Sequence, residues 1–189
     1  MDRTSLGDRM KNNYESRSSS FLTRRTPVII RLDGKAFHTF TKGFDRPFDE
    51  HLNNAMVETM IYLCSNIQGA KLGYTQSDEI SLLLTDFDKL ETNAWFDYNL
   101  QKIVSVSASM ATGMFNKIIS TDKTAFFDSR AFNVPKEEVE NYFYWRQRDW
   151  ERNSISMLSQ SYYSHNQLHK KSAPDMHEML YQKGVNWAN

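Results

Sequence analysis

The run Val28-Ile29-Ile30 constrains the fold more than any other segment of this 189-residue chain. β-Branched side chains favour extended backbone, and three in succession make a strand built for burial. The run gives way at once to Arg31-Leu32-Asp33-Gly34-Lys35, so the sheet that buries it delivers a carboxylate to the strand's end. A chain of this length holds one principal core, with room for an appended subdomain.

The segments that follow supply partners for that strand. Pro47, at an expected first helical position, opens an amphipathic helix through about Asn66, with Phe48, Leu52, Met56, Met60 and Leu63 on one stripe. Apolar segments at Leu72 to Tyr74 and Ile80 to Leu84, divided by Thr75-Gln76-Ser77-Asp78, predict a β-hairpin. A second helix is expected from about Ala94 to Ile119, with small residues (Ser105, Ser107, Ala108, Ala111) that permit close approach to a sheet. The strand "TAFFDSRAFNV" ends at Pro135. The order β-α-β-β-α-β is the split βαβ arrangement, so the predicted class is α+β, a ferredoxin-like antiparallel sheet with both helices on one face.

The flanks read differently. Residues 1–26 are polar, with a Ser cluster and Arg24-Arg25, and predict a short helix followed by a mobile loop. Residues 27–134 form the core, and 135–189 a helical region opened by Pro135. A last helix starts at a capping-box variant, Ser172-Ala173-Pro174-Asp175, and stops at Gly184. Lys plus Arg equals Asp plus Glu, 23 each, so a polyanionic partner must be held by local basic clusters rather than by the field of the whole protein. Cys64, the single cysteine, falls in an apolar helical stretch and is expected to pack as a small hydrophobe. No apolar run reaches membrane-spanning length and MDRTSLGDRM lacks a signal-peptide h-region, which makes the cytoplasm the expected compartment and no membrane an expected partner.

In this topology the first strand neighbours the hairpin, so Asp33 is expected to meet Asp78 and Glu79 at its turn. Three converging carboxylates repel one another unless a proton or cation sits among them, and hard oxygen donors select Mg²⁺ or Mn²⁺. Gly34, without a side chain, lets backbone approach an ion closely and offers its carbonyl as a further ligand. Taken singly, D-G is also a commonplace turn and S-D-E an ordinary hairpin tip.

The motifs "RLDGKAFHTFTKGFDRPFD", "GYTQSDEISLLL", "FFDSR" and "YWRQRDWERN", in that order across residues 27–165, resemble the tRNA-histidine guanylyltransferase family. The resemblance implies a polymerase-like palm that adds nucleotides in the 3′-to-5′ direction to the 5′ end of tRNA. It implies that Asp33, Gly34 and Asp78 hold two Mg²⁺ ions and that Glu79 is an adjacent acid needed for activity. His38, Arg46, Ser77, Lys35 and Asn153 would contact nucleotide, and Arg130, Arg146, Arg148 and Arg152 phosphates of tRNA or nucleotide. ATP and GTP or other NTPs would be substrates, tRNA the partner, and the assembly a homotetramer.

One departure is informative. Where enzymes dedicated to tRNA-His carry His-Ile-Asn-Asn, this chain has Glu151-Arg152-Asn153-Ser154, which points to the guanylyltransferase-like branch and template-directed repair of shortened 5′ ends. In that reading ATP adenylylates the 5′-monophosphate and the 3′-hydroxyl of an NTP attacks. The alternatives are a dedicated enzyme adding G at position −1, a palm cyclase joining NTPs without tRNA, and a non-catalytic ferredoxin-like RNA-binding module.

Overall fold

The computed structural model describes residues 5–187. Four strands, β1 (Val28–Gly34), β2 (Ala70–Gln76), β3 (Glu79–Leu84) and β4 (Phe127–Asn133), form one sheet in the order β2-β3-β1-β4, every pair antiparallel. β1 is therefore central, as its composition demands. Val28, Ile30 and Leu32 face the main core, while Ile29 is equally buried on the opposite face. Each such side chain contributes about 1.5–3 kcal/mol relative to exposure.

The chain enters through α1 (Leu6–Met10), a wider turn over Lys11–Glu15 and a tight one over Ser16–Ser18, none with a buried residue. After β1 come a short helix α2 (Phe37–Phe40) and then α3 (Glu50–Asn66), which packs on β2. The helix α4 (Leu100–Ile119) packs on α3 and β4. These two helices cover one face, giving the expected β-α-β-β-α-β order. The other face is covered by α5 (Val139–Tyr162), whose Tyr142 hydroxyl lies 2.8 Å from Ser81 Oγ. Two further helices, α6 (His165–Leu168) and α7 (Ala173–Gln182), complete the described chain, α7 packing on α5. No described helix is long and apolar enough to cross a membrane.

Several boundaries differ from expectation, and side-chain caps account for two of the shifts. α3 opens at Glu50 rather than Pro47, because Asp49 caps it: Asp49 Oδ1 accepts from Leu52 N at 2.8 Å and Oδ2 from Asp45 N at 2.9 Å. Pro47 follows a cis peptide, and Phe48 lies outside the helix, exposed. α4 opens at Leu100 rather than Ala94, with Asn99 as cap; Trp95–Tyr98 form a separate tight turn in which Phe96 and Asp97 take left-handed backbone. The hairpin strands run to Gln76 and from Glu79, leaving only Ser77 and Asp78 as the turn. Pro135 precedes a tight turn over Lys136–Glu138, and α5 begins at Val139.

The loop expected to be mobile before β1 is instead fastened. Asp86, fully buried, accepts from Arg24 Nε at 2.6 Å and from Arg25 N at 2.8 Å, while Leu22 N donates to Tyr98 O and Leu100 N to Ser20 O. α7 is capped by Ser172 with both halves of the capping box formed, and Gly184 follows it with a left-handed φ of 75°. Cys64 is half-buried against the core; a Cβ on Gly73 would lie 2.6 Å from its Sγ, so glycine there lets β2 approach α3.

Candidate active site

The register aligns one row of side chains across the sheet on the face that α5 covers: Gln76 opposite Glu79, Glu79 opposite Asp33, Asp33 opposite Asp128. Two residues back, on the same face, runs a second row of Tyr74, Ser81, Arg31 and Arg130. A line of carboxylates thus lies beside a line of arginines. Their pairing decides which acids remain available.

Glu79 is fully engaged. Arg31 Nη2 binds its Oε1 and Arg146 Nη2 its Oε2 at 2.6 Å. Asp128 accepts from Arg130 Nη2 at 3.1 Å. Asp33, between them, accepts no hydrogen bond and forms no ion pair among the described residues. Asp78 accepts at Oδ1 from the Ser77 hydroxyl, 3.1 Å away. The turn is tied to β1 by Gly34 N donating to Asp78 O at 3.0 Å.

Burial pushes the Asp33 carboxyl above its ordinary range, and the neighbouring charges of Glu79 and Asp128 push it further, against the opposing pull of Arg31 and Arg130. Burial likewise raises Asp78; its own amide and the Ser77 hydroxyl work against this, and the charges of Asp33 and Glu79 add to it. Asp33, Asp78 and Glu79 lie near enough for their charges to act on one another, and of the three Glu79 is the one held by arginines; no group of three His, Cys, Asp or Glu side chains suited to a metal occurs among the described residues. The donor set nevertheless fits a hard divalent cation: two mutually repelling carboxylates without a basic partner, with the Gly34 backbone beside them.

Glycine at position 34 has a further cause. A Cβ there would lie 2.3 Å from Phe37 Cδ2, because the Phe37 ring packs on this backbone. Phe37 and Phe40 join Phe44, Phe115 and Phe127 in an aromatic cluster, which anchors α2 and leaves His38 exposed. Lys123 Nζ donates to the carbonyls of Phe40 and Lys42 at 2.9 and 2.8 Å, fixing the chain that follows α2.

Beside the acids opens a cleft of about 1060 Å³. Gly34, His38, Arg46, Ser77 and Asp78 line it on one side, and Trp150, Asn153 and Met157 of α5 on the other. Lys35, Asp33 and Glu79 are not on its wall. Arg130, Arg148 and Arg152 are exposed outside it; Arg148 pairs with Glu151 at 2.6 Å, and Arg152 with Asp149. Arg146, expected at phosphate, is only 2% exposed and lies beneath Trp145, its guanidinium 4.5 Å from that ring. Trp145 and Trp150 are exposed, whereas Tyr142 is buried.

Arg31, Asp128 and Asp149 were not singled out from the sequence. The period-two alternation that put Asp33 on one face also puts Arg31 there, and Asp149 follows Arg146 by one helical turn, so both signals were present.

A sequence model described as tRNAHis guanylyltransferase matches residues 7–135. The Schizosaccharomyces pombe tRNA(His) guanylyltransferase is 31% identical over 143 residues, covering 71% of this chain and 53% of that protein. A bacterial tRNA(His) guanylyltransferase-like protein in complex with ATP superposes with a TM-score of 0.93 at 51% identity, over 97% of this chain and 82% of that one. Another such structure, in complex with GTP, gives 0.87 at 50% identity, over 98% and 78%. The chain spans between 53% and 62% of the length of the first curated relatives it matches. Core, turn and strand motifs of the acidic site all fall within the matched residues, and the chain belongs to the tRNAHis guanylyltransferase family.

Proposed function

We propose that this protein is a Mg²⁺-dependent nucleotidyltransferase that extends the 5′ end of tRNA in the 3′-to-5′ direction, choosing each nucleotide by pairing with the opposite acceptor strand. The observation that carries the reading is the pair Asp33 and Asp78, neither in an ion pair among the described residues, beside a cleft of about 1060 Å³ edged by His38, Arg46, Ser77 and Asn153. The bacterial relatives bound to ATP and GTP support nucleotides as the occupants.

Asp33, Asp78 and the Gly34 carbonyl would hold Mg²⁺, which when bound lowers the pKa of a hydroxyl nucleophile and offsets charge on the triphosphate. Arg46 offers a planar fork to phosphate oxygens, and the Ser77 hydroxyl and Asn153 amide offer neutral donors around it. His38, on a helix held by Phe37 and Phe40, would lie beside the activating nucleotide. Trp150, exposed at the far wall, gives a flat face on which a base can stack. The protein's task is position and charge, and base pairing supplies the choice of nucleotide. Glu151-Arg152-Asn153-Ser154 in place of His-Ile-Asn-Asn favours repair of shortened ends over addition of an untemplated G. By the same likeness the assembly is a homotetramer.

The test is a 5′-truncated tRNA transcript incubated with Mg²⁺ and each NTP in turn. Extension by the template-matched nucleotide is expected. Addition of G alone to full-length tRNA-His would move the assignment to the dedicated enzyme, and no addition to either RNA would overturn it.

A further inference from the structure

The geometry points to Arg146 as a positioning residue of the acidic turn, acting through Gln76 and Glu79 to fix Asp78, and not as a contact to RNA. This deepens the nucleotidyltransferase reading and rests on it. The turn holds only Ser77 and Asp78, so its orientation is set by the two residues that flank it. Arg146 grips both. Its Nη2 binds Glu79 Oε2 at 2.6 Å. Turned so that its oxygen faces the guanidinium, the Gln76 amide accepts from the same Nη2 at 2.6 Å and donates to the Arg146 carbonyl at 2.6 Å and the Tyr74 hydroxyl at 3.1 Å.

Arg31 closes the clamp from the sheet by binding the other oxygen of Glu79, so that each oxygen of this carboxylate is held by a guanidinium. Arg31 and Arg146 together balance Glu79 and Asp149, the latter 3.1 Å from Arg146. Asp149 also accepts from Asn153 Nδ2 at 3.3 Å, which carries the same network to the wall of the nucleotide cleft. A guanidinium 2% exposed beneath Trp145 is out of reach of a polynucleotide, whereas removing one partner of a buried ion pair leaves the other uncompensated.

The full chain is compared with Arg146→Met, Arg146→Lys, Glu79→Gln, the double variant Arg146→Met/Glu79→Gln, and Arg148→Ala, each checked for folding by circular dichroism. Three quantities are read: Mn²⁺ affinity from free-ion electron paramagnetic resonance, tRNA affinity across a salt series, and nucleotide addition. Arg146→Met is expected to weaken Mn²⁺ about tenfold and to slow addition about 100-fold, with tRNA affinity and its salt slope unchanged. Arg146→Lys recovers about tenfold of the addition rate by restoring charge at Glu79. The double variant loses no more than about threefold beyond the worse single one, as residues acting as a unit do. Arg148→Ala, on the exposed side of α5, instead weakens tRNA and flattens its salt slope. The inference falls if Arg146→Met weakens tRNA with Mn²⁺ affinity intact, or if the losses at 79 and 146 multiply. Should Arg146→Met not fold, Arg146→Lys paired with Glu79→Gln carries the same comparison. If the wild type adds no nucleotide to any RNA, the nucleotidyltransferase reading fails, while the Mn²⁺ comparison still decides the clamp.

Discussion

Asp78 carries a cost that its position imposes. Burial and the nearby charges of Asp33 and Glu79 disfavour its ionised form, so the native state holds this proton to higher pH than the unfolded chain does. Stability from the protonated form is present below the unfolded carboxylate pKa and is lost as pH rises through the elevated native one. Without divalent metal, Asp78→Asn should therefore match the wild type in Tm near about pH 4 and exceed it by about 2–4 °C at neutral pH, as calorimetry will show. The same variant should lose at least the ~100-fold in nucleotide addition that changes around a metal site cost. Gly34→Ala tests a different constraint: its Cβ meets the Phe37 ring, and urea unfolding should register a loss of about 1–3 kcal/mol from overpacking. Asp33, Gly34 and Asp78 were legible as a candidate site only in combination, because D-G and S-D-E are each ordinary turns and only the predicted topology brings them to one sheet edge. The role of Glu79 was not, since its arginine partners come from a different strand and a distant helix, and spacing in sequence does not report pairing across 67 residues.

Among the elements, α3 shows how a boundary becomes functional. Asp49 joins its first turn to the amide of Asp45, so one carboxylate caps the helix and closes the loop carrying Arg46. These backbone donors, Leu52 first, hold the Asp49 carboxyl below its usual range, and its contribution persists above the unfolded pKa and disappears as pH falls through the native one. Asp49→Ala should cost about 1 kcal/mol, seen as a lower denaturation midpoint, and should raise the KM for NTP more than it lowers kcat. Strand and helix types were legible from periodicity, which burial enforces. Helix starts were not, because a cap depends on which neighbouring amide a short polar side chain reaches, and Pro47 and Ala94 gave plausible competing signals. α5 is expected to offer Arg146, Arg148 and Arg152 to phosphates; its packing over the sheet buries Arg146 and leaves Arg148, Arg152 and Trp150 exposed.

At the scale of the whole molecule, equal numbers of acids and bases leave no global attraction for RNA. On the proposed function, RNA would be held by solvent-facing basic side chains, of which Arg130 lies next to the acidic row on the outer strand β4. Arg130→Ala should weaken tRNA binding similarly for all sequences and reduce the salt slope by about one, measured by filter binding. The ferredoxin-like plan was legible because its two βα passages and one hairpin leave few sheet orders open. The docking of the N-terminal segment was not, because the anion that receives it, Asp86, sits in a loop more than 60 residues away. That docking has a practical corollary for anyone shortening the protein. A version starting at residue 19 keeps the Arg24 guanidinium and the Arg25 amide on Asp86 and should purify normally. One starting at residue 27 would leave the buried Asp86 carboxylate without the Arg24 and Arg25 donors, and should emerge as inclusion bodies although every strand of the sheet is intact.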